Sequence, residues 1–188
     1  MESVNNGKAI VSELGSELHI EIPSVKNWFL TIFYMVWLGG WAFGEITVLK
    51  MLFSGGESVG TFLLVWLTGW TMGGFFAIFV VLWSIFGKEE IYLDRSYISI
   101  KRGIFGIGSM KEYDKNSIEN LRVSVIYDGN LFSGRKKSIK AITGIGNGSI
   151  CFDYGMKTIR VGASIEEPEA KYLVNKLMEY EVGKKETI

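Results

Sequence analysis

The sequence predicts a membrane-embedded hairpin of two transmembrane helices followed by an α+β domain, mostly antiparallel β, with a single C-terminal helix. Three observations predict it. Two apolar stretches, 28–53 and 61–86, each exceed the about 20 residues that cross a bilayer, and their only charges are Glu45 and Lys50. From Glu89 onward, apolar and polar residues alternate with period two, the mark of half-buried strands. Near the end, Ser164-x-x-Glu167 precedes apolar residues at helical spacing. The chain divides accordingly into an N-terminal segment (1–27), a hairpin (28–86) and a polar domain (87–188).

Residues 1–27 are polar and lack the short apolar core of a cleaved secretory signal. Within them, Glu17-Leu-His-Ile-Glu-Ile22 alternates as a strand. Both ends of a hairpin emerge on one side, so this strand is expected to join the sheet of the polar domain.

The apolar stretches contain one pattern twice. Trp37-Leu-Gly-Gly-Trp41-Ala-Phe-Gly44 returns 29 residues later as Trp66-Leu-Thr-Gly-Trp70-Thr-Met-Gly73. Measured from the ends at Trp28 and Phe86, Gly40 should lie level with Gly73, and Gly44 with Gly69. Small residues let helix backbones approach where lipid supplies no hydrophobic force. The four glycines are therefore expected to zip the hairpin, or to offer part of their face to other copies or another membrane protein. Trp37 and Trp41 share a helix face, as do Trp66 and Trp70. They read as bulky packing beside the glycines, with a gate or ligand-stacking role as the alternative. Trp28 and Trp83 fall at the membrane boundary, where tryptophan concentrates. Glu45 lies about 25 Å along the helix from Trp28, near the outer headgroups. It reads as an interfacial or partner-binding carboxylate, or as an ion or proton site. Lys50 is close enough to the helix end to snorkel outward.

Charge sets the orientation. Lys26, Lys88, Arg95, Lys101 and Arg102 flank the two stretches, whereas the connection Ser54-Gly-Gly-Glu-Ser58 has no basic residue. The positive-inside rule places both termini in the cytoplasm and the connection outside. The chain has 20 basic and 20 acidic residues, but those from Gly87 onward number 17 and 14. That mild excess suits an anionic membrane surface; nucleic-acid binding needs stronger, clustered basic charge. A single cysteine, Cys151, excludes an intrachain disulfide. Asn147-Gly148-Ser149 matches a glycosylation acceptor but falls in the part placed in the cytosol.

In the polar domain, strands are expected at Glu90–Asp94 and Tyr97–Arg102, joined by a turn at Asp94-Arg-Ser96. Others are expected at Gly108–Tyr113, Ile118–Ile126, Gly148–Tyr154 and Lys157–Gly162. Asp153-Tyr-Gly155-Met-Lys157 reads as a tight hairpin. The last element, a helix over 166–181, starts at the capping box with Pro168 in its first turn and stops near Gly183. Ala170, Leu173, Val174, Leu177 and Met178 form its buried stripe.

Gly40-Trp41-x-x-Gly44-Glu45, Gly87-Lys-Glu89-x-Ile91 and Cys151-Phe-Asp-Tyr-Gly155, in this order of elements, resemble bacterial membrane proteins with a pleckstrin-homology-like domain behind a transmembrane hairpin. The resemblance runs from about Glu17 to Glu181. It implies a curved sheet or half-barrel capped by the C-terminal helix, and binding or scaffolding rather than catalysis. The segment from Tyr127 to Asn147 is longer than the connection usual in that family.

Candidate chemistry is sparse. The only histidine is His19, and a nucleophile at Cys151 would need it as base. One His and one Cys do not make a zinc site, and no cofactor is expected. Asp94, Asp114, Asp128 and Asp153 are available as carboxylates but read as turn residues. Gly103-Ile-Phe-Gly-Ile-Gly108 and Gly144-Ile-Gly-Asn-Gly148 lead into strands, so they read as turns and not as phosphate cradles, which open into helices. The basic loop Phe132, Arg135, Lys136, Lys137 and Lys140, with Lys101 and Arg102, is the candidate surface for lipid headgroups or a partner. The expected function is a non-enzymatic, oligomeric membrane scaffold. The alternative is an oligomeric pore or transporter subunit with the polar domain as a regulatory collar, and a membrane-bound enzyme stands third.

Overall fold

The computed structural model describes residues 2–3, 7–54, 61–124, 148–180 and 182. They form two compact units, Met1–Val25 with Phe86–Ile188, and Lys26–Ile85.

The first unit contains two antiparallel sheets. One has the order β1-β2-β3-β4-β5-β6: β2 (Ile10–Leu14), β3 (Glu17–Pro23), β4 (Gly87–Leu93), β5 (Tyr97–Ile104) and β6 (Ile107–Asp114), extended at one edge by the two-residue β1 (Glu2–Ser3). The other has the order β7 (Ile118–Val123), β8 (Ile150–Tyr154) and β9 (Lys157–Val161). A 3-10 turn at Lys115–Ser117 leads from β6 into β7. Among the described residues the sheets do not close into a barrel. Helix α3 (Glu167–Glu179) completes the unit.

Alternation builds the shared core. Leu18, Ile20 and Ile22 of β3 meet Ile91 and Leu93 of β4, Ile98 and Ile100 of β5, Ile150 and Phe152 of β8, and Leu173 and Leu177 of α3. β3 and β4 pair directly although the whole hairpin separates them in sequence: Pro23 lies opposite Lys88, and Gly87 accepts a hydrogen bond from the Ser24 amide at 2.9 Å. The tight turn between β8 and β9 is present, with Tyr154 opposite Lys157 and Gly155 at φ 57°.

Two details depart from expectation at the last helix. Ser164 does not cap it: its hydroxyl donates to the Pro23 carbonyl, and the helix begins after Glu166 without a side-chain cap. Ala170, Leu173, Val174 and Leu177 are buried, but Met178 is exposed, because at 3.6 residues per turn it falls to the side of the stripe centred on Ala170, Leu173 and Leu177. The stop expected at Gly183 lies outside the described residues.

The second unit contains α1 (Trp28–Phe53) and α2 (Thr61–Phe86). Both are long and apolar enough to cross a membrane. Asn27 caps α1, its side chain accepting from the Leu30 amide at 3.2 Å.

Candidate functional site

The polar groups of the hairpin meet along one seam. Near the ends at Trp28 and Phe86, the Thr31 and Ser84 hydroxyls lie 2.8 Å apart. Farther along, Trp41 donates from Nε1 to the Trp70 carbonyl at 3.0 Å. Beyond it, Thr71 donates to Oε1 of Glu45 at 2.7 Å. The other carboxylate oxygen of Glu45 is buried, as is Nε1 of Trp70, and neither has a hydrogen-bond partner among the described residues. Buried polar atoms without partners are uncommon, and in apolar surroundings costly.

The seam fixes the register. It pairs Thr31 with Ser84, Trp41 with Gly74, and Glu45 with Thr71, about half a helical turn from the expected pairing of Gly40 with Gly73 and Gly44 with Gly69. The close approach accordingly falls at Gly74, where an added Cβ would lie on the Trp41 indole. At Gly40, Gly69 and Gly73 a Cβ would meet nothing within 4 Å, and at Gly44 it would make ordinary contact with Trp70 at 3.7 Å. Indoles, not matched glycines, fill the space between the helices. Trp66 stacks on Trp70 with centroids 5.0 Å apart, and Trp37 lies tilted to Trp70 at 5.9 Å. Trp37, Trp66 and Trp70 thus form one ring cluster, with Trp41 and Glu45 on the next two turns of α1. The missed signals were the second glycine of Gly73-Gly74 and the hydroxyl of Thr71 beside Trp70.

In the first unit, Lys101 and Arg102 are not free cations. Lys101 lies 3.9 Å from Glu90, and Arg102 donates from Nε to Glu89 at 2.6 Å and from its terminal nitrogen to the Arg160 carbonyl. The register dictates this, since β4 and β5 place Glu90 opposite Lys101 and Glu89 opposite Arg102. Glu89 is buried, and its second oxygen accepts from the Gly162 amide at 2.6 Å. One carboxylate therefore ties β4 to β5 and to the end of β9. Its inward position was legible: period two puts Glu89 on the same face as Ile91.

On the other face of β4, Lys88 bridges Glu21 at 3.1 Å and Glu90 at 2.8 Å. Its ammonium is held above its ordinary value by the Glu90 hydrogen bond, against the opposing effect of burial. Burial pushes the Glu90 carboxyl up, but the hydrogen bond and charge of Lys88, with Lys101, outweigh it and hold the group below the usual value. Phe132, Arg135, Lys136, Lys137, Lys140 and Asp128 lie outside the described residues.

The remaining candidates are engaged structurally. His19 stacks on Tyr92 at 4.4 Å, its cross-strand neighbour in the larger sheet. Cys151 is buried in the smaller sheet, beside Arg160. The two strands do not neighbour each other, so no Cys–His pair forms. Asp94 accepts from the next amide in its turn, and Asp114 caps the 3-10 turn. Asp153 accepts from Arg122, Thr158 and Asn120 at the bulge of β7. Those three hydrogen bonds, Arg122 first, lower its carboxyl to about 2. Among the described residues, no group of three His, Cys, Asp or Glu is placed to hold a metal.

The chain matches no known protein family, and no curated protein matches it.

Proposed function

We propose that this chain is a non-enzymatic integral protein of the bacterial cytoplasmic membrane. Its hairpin anchors a pleckstrin-homology-like module that binds a protein or lipid headgroups and scaffolds an oligomer. The observation that carries the reading is the outward apolar surface of the hairpin, where Phe43 is 77% exposed and Phe62 80%. Side chains of this kind surround both helices, leaving no polar face to meet water. Such surface far exceeds what a monomer carries in solution and matches hydrocarbon instead, where helices satisfy their own backbone groups.

The pleckstrin-homology-like reading is supported by the order of elements, by two antiparallel sheets on one core and by α3 beside β7. The binding role rests on the basic sequence around Phe132, since Lys101 and Arg102 are committed to Glu90 and Glu89. The orientation, with both termini in the cytosol, rests on the basic residues that flank the hairpin. Extraction of membranes with alkaline carbonate tests the anchor. The chain should stay in the pellet, and its release into the supernatant would remove the reading.

A second reading, a pore or transport subunit, is favoured by the unpartnered oxygen of Glu45. An ionisable group at such a place is a site by default. Several hairpins would have to surround a path, with Glu45 lining it. Conductance of purified protein in planar bilayers, abolished by Glu45→Gln, is the expected result; an electrically silent wild type excludes it.

A further inference from the structure

The turn joining β5 to β6 runs against its own chemistry. Ile104 pairs with Ile107, so Phe105 and Gly106 alone make the bend. Both have positive φ, 52° and 78°. Two-residue hairpin turns favour such angles, and Asn, Asp or Gly ordinarily takes the first place. A phenylalanine there is strained, because its Cβ crowds the following carbonyl oxygen. Gly103 and Gly108 face each other behind the bend, where a Cβ on either would strike the opposite backbone. The side chains left at the tip are Ile104, Phe105 and Ile107. Ile104 is half-buried, but the other two are not packed away: Phe105 is 67% exposed and Ile107 83%. The tip is thus disfavoured in water both by its backbone and by its surface, a combination that marks functional positions.

One contact indicates what covers it. The Phe105 ring lies 4.4 Å from that of Phe86. Phe86 is the last residue of α2, and β4 begins at the next residue. Gly87, the first residue of β4, pairs with Ile104. The tip is therefore tied, by one ring contact and one ladder rung, to the point where the chain leaves its second apolar helix.

We propose that the β5–β6 turn inserts Ile104, Phe105 and Ile107 into the lipid interface at the leaflet where α2 emerges, giving the chain a third contact with the membrane. The occupant is the boundary between headgroups and acyl chains. No particular headgroup is required, since residues 103–108 carry no charge. Aromatic and aliphatic side chains are favourable at that depth, and the bilayer covers what water would leave exposed. The proposal rests on the reading of α2 as a membrane span.

The test measures depth on the full chain. Single cysteines replace Phe105, Ile107, Met156 and Phe79 in turn, in a Cys151→Ser background, and each carries a nitroxide label in phospholipid nanodiscs. Oxygen, which concentrates in lipid, competes with a water-soluble nickel chelate in relaxing the label. Labels at 105 and 107 should be relaxed more by oxygen, as at 79 in α2, whereas 156, on the exposed β8–β9 turn, should favour nickel. Adding Phe105→Asn, which suits the turn, should shift the label at 107 toward nickel. Ratios at 105 and 107 equal to that at 156, with 79 still in lipid, would overturn the proposal. A label at 79 that reads water would overturn the spanning helix itself, and the two failures are therefore distinguishable.

Discussion

Glu89 is the residue on which the two sheets depend. Its oxygens receive Arg102 from β5 and the Gly162 amide from the end of β9. Glu89→Gln keeps the shape but leaves the half-buried Arg102 without its counter-charge. Breaking such a pair from one side should cost roughly 3 kcal/mol, read as a lower midpoint of denaturation followed by the Tyr signal. Asp153 governs a different response, to acid. Its carboxyl sits at about 2 in the folded chain against an ordinary 3.8. A depressed folded value means stabilisation that is complete above the ordinary value and is lost as pH falls toward 2. Thermal unfolding between pH 5 and 2 should therefore fall less steeply for Asp153→Asn than for wild type.

The hairpin shows how far spacing alone carries an element. Helix positions and apolar character followed from the sequence, because no charged residue interrupts 61–86. The register did not. Counting from the ends placed Gly40 against Gly73, but the volume of the Trp41 indole demanded Gly74 instead, and volume is invisible to spacing. The two glycines should consequently differ. Gly74→Leu drives a side chain into Trp41 and should destabilise the hairpin by about 1–3 kcal/mol, whereas Gly73→Leu should leave its stability near wild type in detergent unfolding. If Gly40 and Gly73 instead serve an oligomer, Leu at both should shift native detergent migration to smaller species without loss of helicity. Among the strands, β3 to β9 were legible through alternation, while Ile10–Leu14 was not read as a strand, because a single inward Val11 gives too short a pattern. The capping box failed for a related reason: Ser164 found a carbonyl on Pro23, a partner 141 residues distant that no local motif contains.

At the scale of the molecule, the chain is a β domain with two long apolar helices inserted into one of its strand connections. Every residue of the buried core cluster belongs to 9–22, 91–121 or 150–182, and none comes from the hairpin. Replacing 26–85 by Asn-Gly should thus leave a short hairpin loop of the kind that joins neighbouring antiparallel strands. The product is expected to be monomeric on gel filtration and β-rich by far-ultraviolet circular dichroism. Aggregation with loss of that spectrum would show that the domain needs its two long helices to fold. What stayed illegible at this scale was the commitment of Lys101 and Arg102. Their basic character was plain, yet their partners became visible only once β4 and β5 were set in register.

The rung at Ser24 and Gly87 has a consequence for biogenesis. With the hairpin in a bilayer, as proposed, β3 and β4 can meet only when both helices have entered it and returned to the same side. A chain with one rod left behind, or threaded alone, would strand its two halves across the lipid, and the sheet could never zip. On that proposal, folding of the β domain is a checkpoint on insertion, and half-inserted copies should present themselves to quality-control proteases as unfolded protein.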